Sequence, residues 1–345
     1  MQQLVAFDEA GNTGENLLDE TQPVYSLAAV LDTGDAKKTV DDALAHRQAS
    51  ELKFSGLRKH ASGQRIVVDL FASGALNPDN ARVSIAHKPW MVAAKMVDLL
   101  VEPYFQRRGH SALMYASGMH LNMADALYSE APLAVGPQLW RAFQEAFVEL
   151  VRDFSDTTIT RYLTVLKLVR AARAEDPLAA VFAAMVDSCT WLEEDVRAEI
   201  DQLDPALSTV VEQLGAWSDR LDEPFTVLHD DAKVVKLWAN EIDRFSNPGI
   251  TPATVDFGIT AIRLPFKAGK LTFTASERTP AVQLADVVAG ASLLLYSELL
   301  GGSSLTPFAR QLASAGVGTV IEHVSGPAMS AGAAAKLAAQ PRPAA

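Results

Sequence analysis

One cysteine, Cys189, occurs in 345 residues, so an intramolecular disulfide is excluded and a multi-cysteine zinc site cannot be built. Histidine is scarce as well, with seven in the chain. No apolar run reaches the ~18 uninterrupted residues that span a bilayer, and Met1 is not followed by a basic stretch and a long apolar one. These absences lead to the expectation of a soluble, unexported protein in a reducing cytoplasm. Apolar side chains are not lacking: they make up 49% of the chain against 21% charged, which excludes a disordered or fibrous polymer. The length allows about two domains, or one domain with a large insertion.

The formal charge of −12 argues at first against a polyanionic substrate, so its location matters. Residues 1–100 hold 10 basic and 13 acidic side chains, 101–174 hold 8 and 7, and 224–345 hold 10 and 9. Residues 175–223 hold 2 and 13, and that one stretch carries almost the whole surplus.

Along the chain, Leu4–Phe7 and Val24–Leu31 read as two strands around a turn-rich Asp8–Gly14, an opening hairpin. Gln64–Ser73 and Trp90–Phe105 have helical spacing, and Arg82–His87 reads as a strand. From about residue 111 to 221 the pattern is helical: Gln138–Phe154, Thr160–Arg173, Leu178–Leu203 and Pro205–Leu221. Strands return at Phe225–Leu228, Ile259–Leu264 and Lys270–Ala275, and a last apolar helix runs from Pro280 to about Leu300, with Thr279 as its N-cap. The expectation is an α/β domain in two parts, 1–110 and 223–326, split by an acidic helical insertion at 111–222. An Ala/Pro-rich tail, 327–345, is expected to be disordered.

Acidic residues fall where a sheet-based site needs them. Asp8 ends the first strand, Glu51 precedes Leu52-Lys53, Asp230 and Asp231 end the strand at 225–228, and Asp286 sits among Val282, Leu284, Ala285, Val287 and Val288. An ionised carboxylate in apolar surroundings is costly unless it is paired or holds a metal. Carboxylates from distant segments, without cysteines, describe a hard-cation site for Mg²⁺ or Mn²⁺. The chemistry that most often needs them is in-line displacement at a phosphodiester across two ions ~3.5–4 Å apart. Each acid also has a plain structural reading: Asp8 as a turn former, Glu51 paired with Lys53 or Arg58, Asp230 and Asp231 as helix caps, and Asp286 paired with Arg278 or Lys233.

Phe7-Asp8-Glu9-Ala10-Gly11-Asn12 resembles the opening motif of the domain-of-unknown-function 3800 family. Glu51-Leu52-Lys53-Phe54-Ser55, His229-Asp230 and Gln283-Leu284-Ala285-Asp286-Val287-Val288-Ala289-Gly290 resemble its later motifs. Ala10 stands where the family has Ser, which removes a hydroxyl but no metal ligand. The resemblance implies a ribonuclease H-like mixed sheet with acids on its first strand, its fourth strand and a following helix. It implies a two-metal nuclease in which Asp8 bridges two Mg²⁺ or Mn²⁺ ions, Asp230, Asp286 and Glu51 complete the ligands, and Lys53 steadies the scissile phosphate of DNA or RNA. Glu9 and Asp231 point to the opposite face and rank lower, and His229 is read as a core or surface residue before a supporting one.

Other classes fit less well. A sugar-kinase or actin-like phosphotransferase needs a second Gly-rich loop mid-chain, a haloacid-dehalogenase-type phosphatase needs Asp at Ala10, and an HD-type phosphohydrolase needs acids beside His110 or His120. The non-enzymatic alternative is a catalytically silent binding or regulatory protein. It would use the stripe Trp191, Leu192, Val196, Ile200, Leu203, Val210, Val211, Leu214 and Trp217 in 175–223 for a homodimer or a basic partner.

Overall fold

A computed structural model describes residues 3–11, 17–45, 49–110, 114–115, 118–172, 178–192, 203–256, 261–302 and 304–327. The expected tail from 328 onward and the stripe residues Val196 and Ile200 lie outside the described residues.

The opening hairpin forms from its two apolar runs: β1 (Gln3–Ala10) pairs antiparallel with β2 (Val24–Asp32), with Asp8 opposite Ala28. Helices α1 (Ala36–Leu44), α2 (Phe54–Leu57) and α3 (Ala61–Ala72) follow, and then β3 (Ala81–His87) adds antiparallel to β2. All the described elements between β3 and β4 are helical: α4 (Lys88–Leu100), α5 (Glu102–Gln106), α6 (Met119–Ser129), α7 (Ala131–Val135), α8 (Pro137–Arg152), α9 (Asp156–Ala172), α10 (Ala179–Ser188) with a 3₁₀ turn at Cys189–Trp191, and α11 (Pro205–Arg220). The chain then re-enters the sheet as β4 (Phe225–Asp230), parallel to β1. After α12 (Lys233–Leu237) and α13 (Ala239–Phe245), β5 (Ala253–Asp256) and β6 (Ala261–Leu264) make a separate two-stranded ribbon. Strand β7 (Ala268–Thr274) lies parallel to β4, a 3₁₀ turn covers Ser276–Arg278, and α14 (Pro280–Leu300), α15 (Pro307–Ser314) and β8 (Ile321–Ser325) complete the fold. The mixed six-stranded sheet has the order β7-β4-β1-β2-β3-β8, with β8 parallel to β3.

Helices cover both faces, which is why β2 is a buried run rather than an alternating pattern. The helices α4–α11 share one apolar core with Val5, Phe7, Tyr25 and Leu27 of the sheet. On the opposite face α14 crosses β1 and β2 over Ala6, Ala28 and Val30, with α1–α3 and α15 beside it. By length and composition α14 could cross a membrane, yet 67% of its most apolar window is buried inside the protein. It is the central core helix of this face.

Some expected elements take a different form. Trp90–Phe105 is two helices, because Pro103 lacks an N–H and the chain breaks at Val101 before it. Of Leu178–Leu203, the described part is α10 and its 3₁₀ turn. Thr279 does occupy the N-cap of α14, but its side chain makes no cap hydrogen bond and meets Thr274 Oγ1 at 3.1 Å instead. Within the acidic segment, Leu192, Leu203, Val210, Leu214 and Trp217 are buried in the protein's own core. Trp191 and Val211 are half-buried, with Arg107 stacked over the Trp191 ring at 4.6 Å. Cys189 is half-buried, and desolvation pushes its thiol up to about 11, the mark of an inert structural cysteine.

Candidate carboxylate site

Successive side chains on a strand point to opposite faces. On β1, Asp8 follows Ala6 onto the α14 face, while Glu9 follows Phe7 onto the other and accepts a hydrogen bond from Tyr25 Oη at 3.1 Å. On β4, Asp230 faces the turn after β7 and its Oδ1 accepts from Ser276 N at 3.2 Å. His229 points the other way and is fully buried, its ring 6.0 Å from those of Phe7 and Phe273. Its Nδ1 donates to Asp230 O at 2.9 Å, and desolvation lowers its pKa to about 4, so it is a neutral core histidine.

Helix α14 supplies the third acid. Asp286 Oδ2 accepts from Phe54 N at 2.5 Å. That contact requires α2 to lie on the helix, and Gly290 permits it: a Cβ there would stand 2.2 Å from the Phe54 ring. Gly290, at the end of the 283–290 motif, is therefore what lets the segment carrying Glu51 reach the helix carrying Asp286. Glu51 Oε1 accepts from Ser276 Oγ at 2.5 Å and pairs with Lys53 Nζ at 3.4 Å.

The structure thus brings Asp8, Glu51, Asp230 and Asp286 together at one end of the sheet, each within the electrostatic reach of others in the set. Burial pushes Asp8 well above the usual carboxylate range, the charges of Asp286 and Asp230 push it further, and the Glu9 N–H opposes them. Asp286 is raised by burial first and by Glu51 and Asp230, against the Phe54 N–H and Lys53. For Lys53, partial burial acts downward, but Glu51, Asp286 and Asp230 outweigh it and raise its pKa. Asp231 turns away, is exposed and pairs with Lys236.

Several plain readings of these acids are corrected by the geometry. The N-cap of α12 is Ala232, not Asp230 or Asp231. The cation beside Asp286 is Lys53, rather than Arg278 or Lys233, whereas the Glu51–Lys53 pair does form.

Two residues that sequence reasoning did not assign complete the cluster. Gln283 Oε1 accepts from Leu52 N at 2.9 Å while its Nε2 donates to Ser276 O at 3.0 Å. Ser276 serves both Glu51 and Asp230. A glutamine three residues before Asp286, in an otherwise apolar stretch, was the available signal.

An all-oxygen set of four carboxylates, two of them disfavoured in their ionised form by burial first and by neighbouring acids second, has the donor chemistry of a hard divalent cation. The donors are not closed around one: among the described residues no group of three or more His, Cys, Asp or Glu is arranged to hold a metal ion. Each carboxylate instead rests on a protein donor. Comparison of the chain with protein-family models, with curated proteins and with solved structures gives no match.

Proposed function

We propose that the protein is a divalent-metal-dependent nuclease built on a ribonuclease H-like sheet, with 111–222 as a helical insertion. One observation carries this reading: four carboxylates from β1, the 51–54 segment, β4 and α14 converge at one end of the sheet. The strand arrangement supports it, since β1, β2 and β3 run antiparallel while β4 and β7 join parallel to β1, with acids on β1, β4 and the closing helix.

In this reading Asp8, Glu51, Asp230 and Asp286 would hold Mg²⁺ or Mn²⁺. When bound, such ions would supply an activated water and would neutralise charge developing on the phosphate. Lys53, with its side chain 47% exposed at the rim, offers an ammonium to a phosphate oxygen as a point charge. Asp8 is 5% exposed on the strand that α14 packs against, a low-dielectric setting in which its carboxylate would gain from a cation. The acidic surplus belongs in the sequence to 175–223, and none of the four carboxylates of the site comes from that segment.

The test is incubation with single-stranded DNA, single-stranded RNA, duplex and hybrid substrates, with Mn²⁺ or with chelator. The expected outcome is cleavage of at least one substrate by the wild type with Mn²⁺, abolished by chelator and by Asp8→Asn but retained by Glu9→Gln. Absence of metal-dependent cleavage on all of them favours the second reading. That second reading is a binding or regulatory protein that keeps the fold without turnover and uses the acidic segment toward a basic partner or a second copy. The open arrangement of the carboxylates is the observation on its side.

A further inference from the structure

Lys53, between Leu52 and the first residue of α2, is extended, at φ −126° and ψ 129°. In extended chain alternate residues present their backbone groups to the same side. Leu52 and Phe54 both aim their N–H groups at α14, where Gln283 takes the first and Asp286 the second. Gln283 and Asp286 are three residues apart and share one helix face. The i,i+3 spacing of the helix, ~4.5 Å of rise, is thereby matched to the i,i+2 spacing of the extended chain, ~6.6 Å, with the side-chain lengths absorbing the difference.

The far end of the Gln283 amide reaches the turn after β7. The amide orientation is dictated by its partners, because Leu52 offers a donor and Ser276 O an acceptor. Ser276 then returns to the acids, its hydroxyl donating to Glu51 and its N–H to Asp230. Gln283 is 4% exposed and Ser276 5%, so these bonds are made away from solvent, where an unmade one is costly. The result is a closed circuit: Glu51 to Ser276, Ser276 to Gln283, and Gln283 to Leu52, the residue after Glu51.

We propose that Gln283 and Ser276 are the positioning residues of the carboxylate site, locking the Glu51 segment to the turn after β7 so that Glu51 and Asp230 are held beside Asp8 and Asp286. The proposal deepens the cation-site reading and rests on it. Neither residue is a ligand. Ser276 sets where Glu51 points, and Gln283 sets where the segment carrying Glu51 lies.

The test uses the full chain, four single variants, Ser276→Ala, Ser276→Thr, Gln283→Leu and Gln283→Glu, and one double variant. Three quantities are read: Mn²⁺ affinity by calorimetry, exchange of the Leu52 amide, and thermal melting. Ser276→Ala is expected to weaken Mn²⁺ binding roughly 10–100-fold, the range for residues that orient metal ligands, and Ser276→Thr to restore it. Gln283→Leu is expected to speed Leu52 exchange about fivefold or more, the equivalent of one hydrogen bond, and to weaken Mn²⁺ binding as Ser276→Ala does. Gln283→Glu keeps the acceptor for Leu52 but sets a carboxylate against Ser276 O, so it is expected to weaken Mn²⁺ binding with less effect on Leu52 exchange. The double variant Ser276→Ala/Gln283→Leu is expected to be no worse than the weaker single one, because both act through one circuit.

Wild-type binding that persists unchanged in Ser276→Ala and Gln283→Leu overturns the positioning role and leaves the cation reading intact. A wild type that takes up no Mn²⁺ overturns the cation reading and the positioning role with it. Should Gln283→Leu not fold, the Ser276→Ala and Ser276→Thr pair decides the matter alone, since a loss not restored by threonine overturns the role.

Discussion

Asp8 and Glu9 are neighbours in the chain, as are His229 and Asp230, and the sheet sends the members of each pair to opposite faces. On the α14 face, Asp8 and Asp230 join Glu51 and Asp286, and like charges accumulate at one end of the sheet. On the face under α4–α11, Glu9 meets the Tyr25 hydroxyl and His229 is enclosed by aromatic rings. One face therefore gathers four carboxylates beside Lys53, and the other encloses a neutral histidine among aromatic rings. That contrast separates a site from a core more sharply than the acidic count of any segment.

The two faces also respond to pH with opposite sign. Asp8 and Asp286 bind protons more tightly in the fold than in the unfolded chain. Their contribution to the metal-free protein is full below the ordinary 3.8 and is lost as pH rises through their raised folded values. His229 behaves in reverse: the unfolded chain takes its proton near 6.5, and the fold refuses it down to about 4. Its contribution is full above 6.5 and falls away toward pH 4, a loss of about 3 kcal/mol. His87, also depressed to about 4 by desolvation, acts in the same direction.

The largest effect expected from breaking this contrast is on the acid limb. His229→Phe keeps a ring between Phe7 and Phe273 without a titrating nitrogen, so between pH 7 and pH 4 it should lose about 3 kcal/mol less stability than the wild type. Urea midpoints at each pH measure this. An acid limb identical to that of the wild type would mean that His229 takes up its proton in the fold and is not enclosed as described.

A second contrast lies between two helix glycines, one on each face. A Cβ on Gly290 of α14 would stand 2.2 Å from the Phe54 ring, whereas one on Gly215 of α11 would meet Ile262 and Phe266 at an ordinary 3.6 Å. Gly290→Ala is therefore expected to cost about 1–3 kcal/mol through overpacking, and to draw Phe54 N away from Asp286. Gly215→Ala is expected to be neutral or to stabilise by up to about 1 kcal/mol, the helix propensity gained. Equal urea midpoints for the two variants would contradict the close approach of α2 to α14.

Much of this arrangement was legible in the sequence, and the parts that were not share a cause. The opening hairpin, β3, β4, α8, α9, α11 and α14 follow from periodicity that each segment carries within itself. Strand β8 does not: Ile321–Ser325 is five residues long with Glu322 and His323 in it, and it is a strand because β3 offers it an edge. The site divides in the same way. The four acids stand out by residue type and by the strand ends and helix that carry them. Gln283 is marked in the sequence only as a polar residue in an apolar stretch; its role, and that of Ser276, emerges once residues 231 apart, Leu52 and Gln283, share a hydrogen bond and Ser276 bonds to Glu51 and Asp230. The same limit applies to the apolar residues of 175–223, whose helical spacing suits an outward surface as well as the inward core that most of the described ones occupy.

The smallest expected effect is the one that most narrowly separates site from surface, because it compares adjacent carboxylates. Asp231 is exposed and pairs with Lys236 across a solvated turn. Surface pairs of that kind contribute under about 1 kcal/mol, so Asp231→Asn should barely move the urea midpoint and should leave Mn²⁺ affinity as it is. Asp230→Asn keeps an oxygen able to accept from Ser276 N, so the turn after β7 retains its anchor while the site loses one negative charge. Stability should then change as little as in Asp231→Asn, and Mn²⁺ affinity should fall. Equal Mn²⁺ affinities in the two variants would place Asp230 with its neighbour on the surface, and leave Ser276 as a turn residue with no cation site to orient.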